Sequence, residues 1–300
     1  MSVQIATGER EIVATRIFDA PRDVVWRAFT DPDHLKHWWG PAGFTNTFHS
    51  FDFKEGGLWR FTMHGPDGTN YENENRFIKI EWLERIVIDH LCTPLFRATM
   101  TFEDLGDKTS FTFHQQFETA EVYQWIKPIA MPGVTEMIER LAARLPAIDP
   151  MRRELMIIRS FDAPRGLVWQ AWTDPRQLAK WWGPQGFTNP VCEIDVRVGG
   201  AIYVVMRGPD GTDYPMRGAF HEIVVPERLV FTNFPVDAND NPMMDGWTTV
   251  TFAERNGKTD MTLETRATGL VPNARFMLLG MGVGWSQSID RLAELVAPAA

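Results

Sequence analysis

Apolar and polar residues alternate with period two at 11–18, EIVATRIF, and again at 155–161, LMIIRSF. Their β-branched content marks both as strands. Each is followed by Ala-Pro (Ala20-Pro21, Ala163-Pro164), with proline suited to the first turn of a helix. Val25, Trp26 and Phe29 then share one helical face, as do Val168, Trp169 and Trp172. Asp31-Pro32 and Asp174-Pro175 stop this helix and start a second, predicted to run to Trp38-Trp39-Gly40 and Trp181-Trp182-Gly183. Period two returns at 48–53 and 191–198, and paired glycines (Gly56-Gly57, Gly199-Gly200) suit tight hairpins. On the next strand, Trp59, Phe61 and Met63 correspond to Ile202, Val204 and Met206 on the buried face. The turns Gly65–Gly68 and Gly208–Gly211 lead to strands near 70–80, 85–91, 97–104 and 109–115, and near 213–224, 228–234, 247–253 and 259–266. A helix closes each pattern, with stripes Val134, Ile138, Leu141, Leu145 and Trp285, Ile289, Leu292, Val296.

The pattern is thus written twice. Phe18–Asn46 and Phe161–Asn189 match at roughly two thirds of their positions, the kind of self-similarity that governs a whole fold. Their offset of about 143 residues is a domain's length. Two domains are expected, over 10–146 and 152–298, joined by the proline-bounded linker 146–150. Strands segregated from helices mean α+β: tandem duplicated domains, each a curved antiparallel sheet wrapped on a long C-terminal helix. One helix about 10 Å wide leaves a hollow under such a sheet.

Composition narrows the function. Net charge is −9 with scattered Lys and Arg, which argues against nucleic acid or an anionic membrane as partner. The N-terminus lacks a secretory pattern and no apolar run suffices for a membrane span, so a cytoplasmic location is expected. Cys92 and Cys192 are not repeat equivalents, and reduced thiols are expected. Twelve Trp and twenty Phe require large cores or large cavities.

The motifs A-P-x-x-V-W, T-D-P and W-W-G-P, followed by EIDVRVGG (193–200), MRGPDGT (206–212) and PERLVFT (226–232), resemble the SRPBCC (START/birch-pollen-allergen-like) superfamily. Within it the chain is similar to the bacterial branch of the activator of heat-shock-protein-90 ATPase family, as two copies of that activator's C-terminal-type domain. The second copy keeps the pattern through GWSQSIDRLAEL (284–295), whereas the first departs from it after about residue 70, and Gly133-Val134 stands where Gly284-Trp285 does. The resemblance implies a helix-grip fold with an apolar pocket that takes small hydrophobic molecules, and in a minority of members an enzyme. Function by fold alone is associational.

No nucleophile motif, phosphate loop or zinc signature occurs, and no cofactor or metal is expected. His34 and His37, near Asp31 and Asp33, have a tolerable ligand spacing but align with Gln177 and Lys180. Asp52/Lys54 and Asp195/Arg197 read as a solvated ladder on one strand face. The W-W-G-P-x-G-F-T-N block reads as a structural anchor. Parity from Tyr71 places Tyr71, Asn73, Asn75 and Phe77 inward in the first copy, and Tyr214, Met216, Gly218 and Phe220 in the second. The candidate ligand-binding residues are accordingly Trp59, Phe61, Tyr71, Asn73, Asn75, His90, Tyr214, Met216, Phe220 and Trp285, with Asn233 a weaker one. The insert 235–246, PVDANDNPMMDG, is a solvated loop or a lid over the pocket mouth. The expected function is a binder, carrier or sensor of a small hydrophobic molecule, with a protein partner or homo-oligomer kept open. The alternatives are a co-chaperone, or an enzyme of cyclase or hydrolase type using Asp89, His90 or Glu72.

Overall fold

The computed structural model describes residues 2–298. The chain divides between Asp149 and Pro150 into two compact units. The first runs β1 (Gln4–Thr7), β2 (Glu11–Phe18), α1 (Arg22–Thr30), α2 (Pro32–Leu35), β3 (Thr45–Phe51), β4 (Leu58–His64), β5 (Asn70–Glu81), β6 (Arg85–His90), β7 (Phe96–Asp104), β8 (Thr109–Phe117) and α3 (Ala120–Arg144). The second runs β9 (Arg152–Phe161), α4 (Arg165–Thr173), α5 (Pro175–Trp181), β10 (Thr188–Ile194), β11 (Ala201–Arg207), β12 (Asp213–Val224), β13 (Arg228–Pro235), β14 (Met244–Arg255), β15 (Lys258–Gly269) and α6 (Ala274–Val296). Every strand pairing is antiparallel, in the orders β1-β2-β8-β7-β6-β5-β4-β3 and β10-β11-β12-β13-β14-β15-β9. Each unit is an α+β helix-grip domain, its long helix packed against one antiparallel sheet.

Three features depart from the sequence reading. An extra edge strand, β1, pairs with β2 from Gln4↔Thr15 to Thr7↔Ile12. The helix α2 ends at Leu35, because tighter bonds (His37 N to His34 O, Trp38 N to Leu35 O) replace its last turn. Asp52/Lys54 and Asp195/Arg197 occupy the turns after β3 and β10, rather than a strand face, as exposed pairs at 3.1 and 2.7 Å. Those turns explain the paired glycines. Gly56 and Gly199 have φ of +82° and +79°. A Cβ on Gly57 or Gly200 would sit 2.0 or 1.9 Å from the carbonyl oxygen of Asp52 or Asp195.

The W-W-G-P-x-G-F-T-N block is an anchor in both units. Trp38 and Trp181 are buried and donate Nε1–H to the carbonyls of Ala28 and Ala171, at 3.0 and 2.9 Å. Asn46 and Asn189 donate from Nδ2 to two carbonyls each, those of Lys36 and Trp39 and those of Ala179 and Trp182. One arginine from the long helix completes the anchor. Arg140 donates to the carbonyls of Gly40, Pro41, His37 and Phe44. Arg291 does the same to Gly183, Pro184, Lys180 and, at 3.4 Å, Trp182. Beside them Glu136 accepts from Ala42 N–H and Gln287 from Gln185 N–H. Desolvation lowers both guanidinium pKa values, yet arginine stays cationic. Each clamp therefore satisfies carbonyls that the helix ends leave open.

Replacing Arg291 by Ala is expected to destabilise the second unit by about 2–4 kcal/mol, since several carbonyls lose a charged donor at once. Arg291→Lys is expected to recover only part, because one ammonium cannot span the set. Urea unfolding checks both: the transition of the second unit shifts and that of the first does not.

Candidate functional site

The N-terminal half of α6 presents Met277, Gly280, Met281, Gly284, Trp285 and Ser288 on one face, at helical spacing. Together with Met206, Tyr214, Met216 and Asn233 from β11, β12 and β13, they enclose a cavity of about 240 Å³. Its floor is aromatic: Trp285 lies 5.3 Å from Trp182 and 6.3 Å from Trp172, centroid to centroid. Glycines at 280 and 284 supply room on the helix side. A Cβ on Gly284 would meet only Pro184 Cγ, at 3.6 Å. Five methionines (Met206, Met216, Met244, Met277 and Met281) line the walls, an unbranched and adaptable surface.

The lining carries no Asp, Glu, His, Lys, Arg or Cys. Three of its four hydroxyl groups are engaged: Thr248 and Thr265 share a hydrogen bond at 3.0 Å, and Ser288 donates to Gly284 O at 2.8 Å. Asn233 is different. It is 8% exposed, and neither its Oδ1 nor its Nδ2 has a hydrogen-bond partner. The insert 235–246 contributes its two ends, Pro235 and Met244, to the cavity wall. Between them it is tied down: Asp237 accepts from Asn239 N–H and Asn241 N–H, and Val236 N–H donates to Pro215 O.

The core of the first unit is densely aromatic. Trp59 and Phe61 stack at 4.6 Å, Phe48 lies 5.4 Å from Trp59, and Phe77 lies 5.5 Å from Phe51. Within that core, the void among Trp39, Trp59, Phe77 and their neighbours is about 10 Å³, too small for a guest. Trp59 and Phe61 are therefore core residues, where the second unit has the smaller Ile202 and Val204. Tyr71 is half exposed and packs on Phe44, and Asn73 donates to Tyr71 O. Asn75 and His90 are buried and bond each other at 2.9 Å, with His90 stacked on Phe96. None of these four lines a cavity wall. Of the second-unit candidates, Tyr214, Met216, Asn233 and Trp285 share the 240 Å³ cavity, whereas Phe220 is buried in the core below it. The methionines of α6 and β14 were not singled out by sequence, although Met277/Met281 and Gly280/Gly284, each four residues apart, are the pattern that marks this wall.

The acid–base candidates lie elsewhere. Asp89 is held by Arg97 at 2.7 Å, and Glu72 accepts from Thr62 at 2.9 Å. His34 takes a bond from Arg144 and lies 3.8 Å from Asp31, and His37 stands exposed. Among the described residues, no three His, Cys, Asp or Glu side chains gather to hold a metal. Burial pushes the Cys192 thiol up to about 11, which keeps it protonated.

Burial also pushes His90 down to about 4, from 6.5. Between those values the unfolded chain takes up a proton that the folded first unit refuses. Stability of the first unit is thus expected to fall as pH drops from 6.5 to about 4, by on the order of 3 kcal/mol. His90→Gln should flatten that part of the curve, as read from urea midpoints across the range.

The family model for Activator of Hsp90 ATPase homolog 1-like protein matches residues 19–146 and again 162–297. No curated protein matches the chain. Among solved structures, a protein from Mycobacterium smegmatis is 32% identical over 49% of this chain and 92% of its own, with a TM-score of 0.41. One from Arthrobacter aurescens is 28% identical over 49% of this chain and 94% of its own, with a TM-score of 0.47. The di-domain ARO/CYC BexL from the BE-7585A biosynthetic pathway is 14% identical over 97% of this chain and 99% of its own, with a TM-score of 0.38. Two tandem matches covering most of its length make this chain a member of the Activator of Hsp90 ATPase homolog 1-like family.

Proposed function

We propose that the second unit binds a small, uncharged, largely apolar molecule between its sheet and α6, and that the protein acts as its binder, carrier or sensor. The carrying observation is the cavity itself: about 240 Å³ lined by methionines, glycines and tryptophans between α6 and the sheet. About 150 Å³ of apolar cavity already accommodates benzene, so this volume suits a molecule of one or two rings. A neutral lining favours a neutral guest, since a buried charge without a partner is costly. Apolar walls with few polar groups are the usual composition of such a site.

An enzymatic reading has less support. General acid–base chemistry needs a titratable group within reach of the bound molecule, and none of Asp89, His90 and Glu72 is among the residues that line this wall. A co-chaperone reading rests on the family description alone. Among the described residues, no helix is long and apolar enough to cross a membrane.

Titration with 2-naphthol, a neutral two-ring fluorescent probe, is expected to saturate at one site per chain rather than two. Gly284→Leu should weaken that binding at least about tenfold, because the new side chain grows into open cavity. Its thermal midpoint should hold or rise, as helix propensity improves by up to about 1 kcal/mol. Absence of saturable binding by the parent protein would refute the reading.

A further inference from the structure

Asn233 gains its meaning from the copy in which its counterpart is satisfied. In the first unit, β5 and β6 place Asn75 opposite His90, and the two side chains bond at 2.9 Å. The same register in the second unit places Gly218 opposite Asn233. The duplication has thus exchanged a partnered polar pair for an amide facing a residue with no side chain. Local backbone geometry keeps it that way: a Cβ on Gly218 would lie 1.7 Å from Thr232 O, so no other residue fits there without a shift of the chain.

The amide is buried, lines the cavity, and has both its donor and its acceptor unused. Buried polar groups in folded proteins are almost always paired, and an unpaired one inside a low-dielectric wall is destabilising. The other polar groups of the inner wall, Thr248, Thr265 and Ser288, already bond each other or backbone. Asn233 is therefore the buried polar group of the wall that stands without a partner, whereas Tyr214, the fourth hydroxyl of the lining, sits on a side chain 37% exposed.

We infer that Asn233 is the specificity-determining residue of the second unit, and that it selects a neutral ring system bearing an adjacent hydrogen-bond donor and acceptor, of the lactam or cyclic-amide class. The inference rests on the binding reading above and deepens it. The amide presents N–H and C=O side by side, so a cis-amide edge pairs with it through two hydrogen bonds at once. Either flip of Asn233 serves, since no protein group fixes which of its two atoms faces which way. The methionines then close over the apolar remainder of the guest.

The experiment compares two neutral two-ring probes of similar size by calorimetric titration: 2-quinolone, which carries the cis-amide edge, and 2-methylnaphthalene, which lacks it. The parent protein is expected to bind 2-quinolone at least about tenfold more tightly, the discrimination that a desolvated amide makes when left unpaired. Asn233→Leu should abolish this preference and keep 2-methylnaphthalene binding, with the thermal midpoint of the free protein unchanged or raised. Asn233→Val, β-branched and suited to a strand, gives the same readout should the leucine variant fold poorly. Equal affinity of the parent for both probes, or a preference that survives in a folded variant, overturns the assignment while leaving apolar binding intact. Binding of neither probe overturns it together with the reading on which it rests.

Discussion

One arginine on each long helix holds each domain together. Arg140 and Arg291 gather the carbonyls that the W-W-G-P turn would otherwise leave open. The turn, the tryptophan pair and the second half of the helix thereby form one fixed block. The helix packs its last turns through Ile138 and Leu141, or Ile289 and Leu292, all fully buried. Its first turns lie beyond the clamp. There the two copies are free to differ, and there they do. Stability is concentrated at one end of the helix and variability at the other, which is how a rigid scaffold can carry a changeable site.

The difference between the copies is one of volume and polarity on a shared backbone plan. Gly280 stands on α6 where the first unit has Ile129, and Gly218 on β12 where it has Asn75. A close-packed interior turns each such exchange into either collapse or empty space. The anchored helix end opposes collapse in the second unit. The first unit uses the same curvature to hold a dense aromatic cluster, in which Trp26, Phe61, Phe102 and Phe111 are almost completely buried.

Polarity follows the same division. His90 in the first unit is neutral, stacked and bonded to Asn75, a closed arrangement with nothing left to offer a ligand. Asn233 in the second unit has lost the equivalent partner and faces the cavity. Residues that align in sequence are therefore partnered in one unit and unpartnered in the other.

The chain's own pattern carried the architecture. Period-two runs, Pro at helix starts and Gly-Gly at turns are local signals, and duplication repeats each of them. Local signals survive without knowledge of the partner strand. The parity of β5 and β12 was legible for the same reason, which is why Asn75, Phe77, Met216 and Phe220 are inward residues and Tyr214 lies at the cavity. What sequence could not weigh was whether inward meant core or cavity wall. Trp59 and Phe61 point inward as plainly as Met216, yet they fill their space and Met216 borders one. Nor could it show that Asn233 faces a glycine across a ladder, since the opposing residue is set by register between strands far apart in the chain. Volume and partnership are sums over several elements at once, and only the assembled tertiary structure performs that sum.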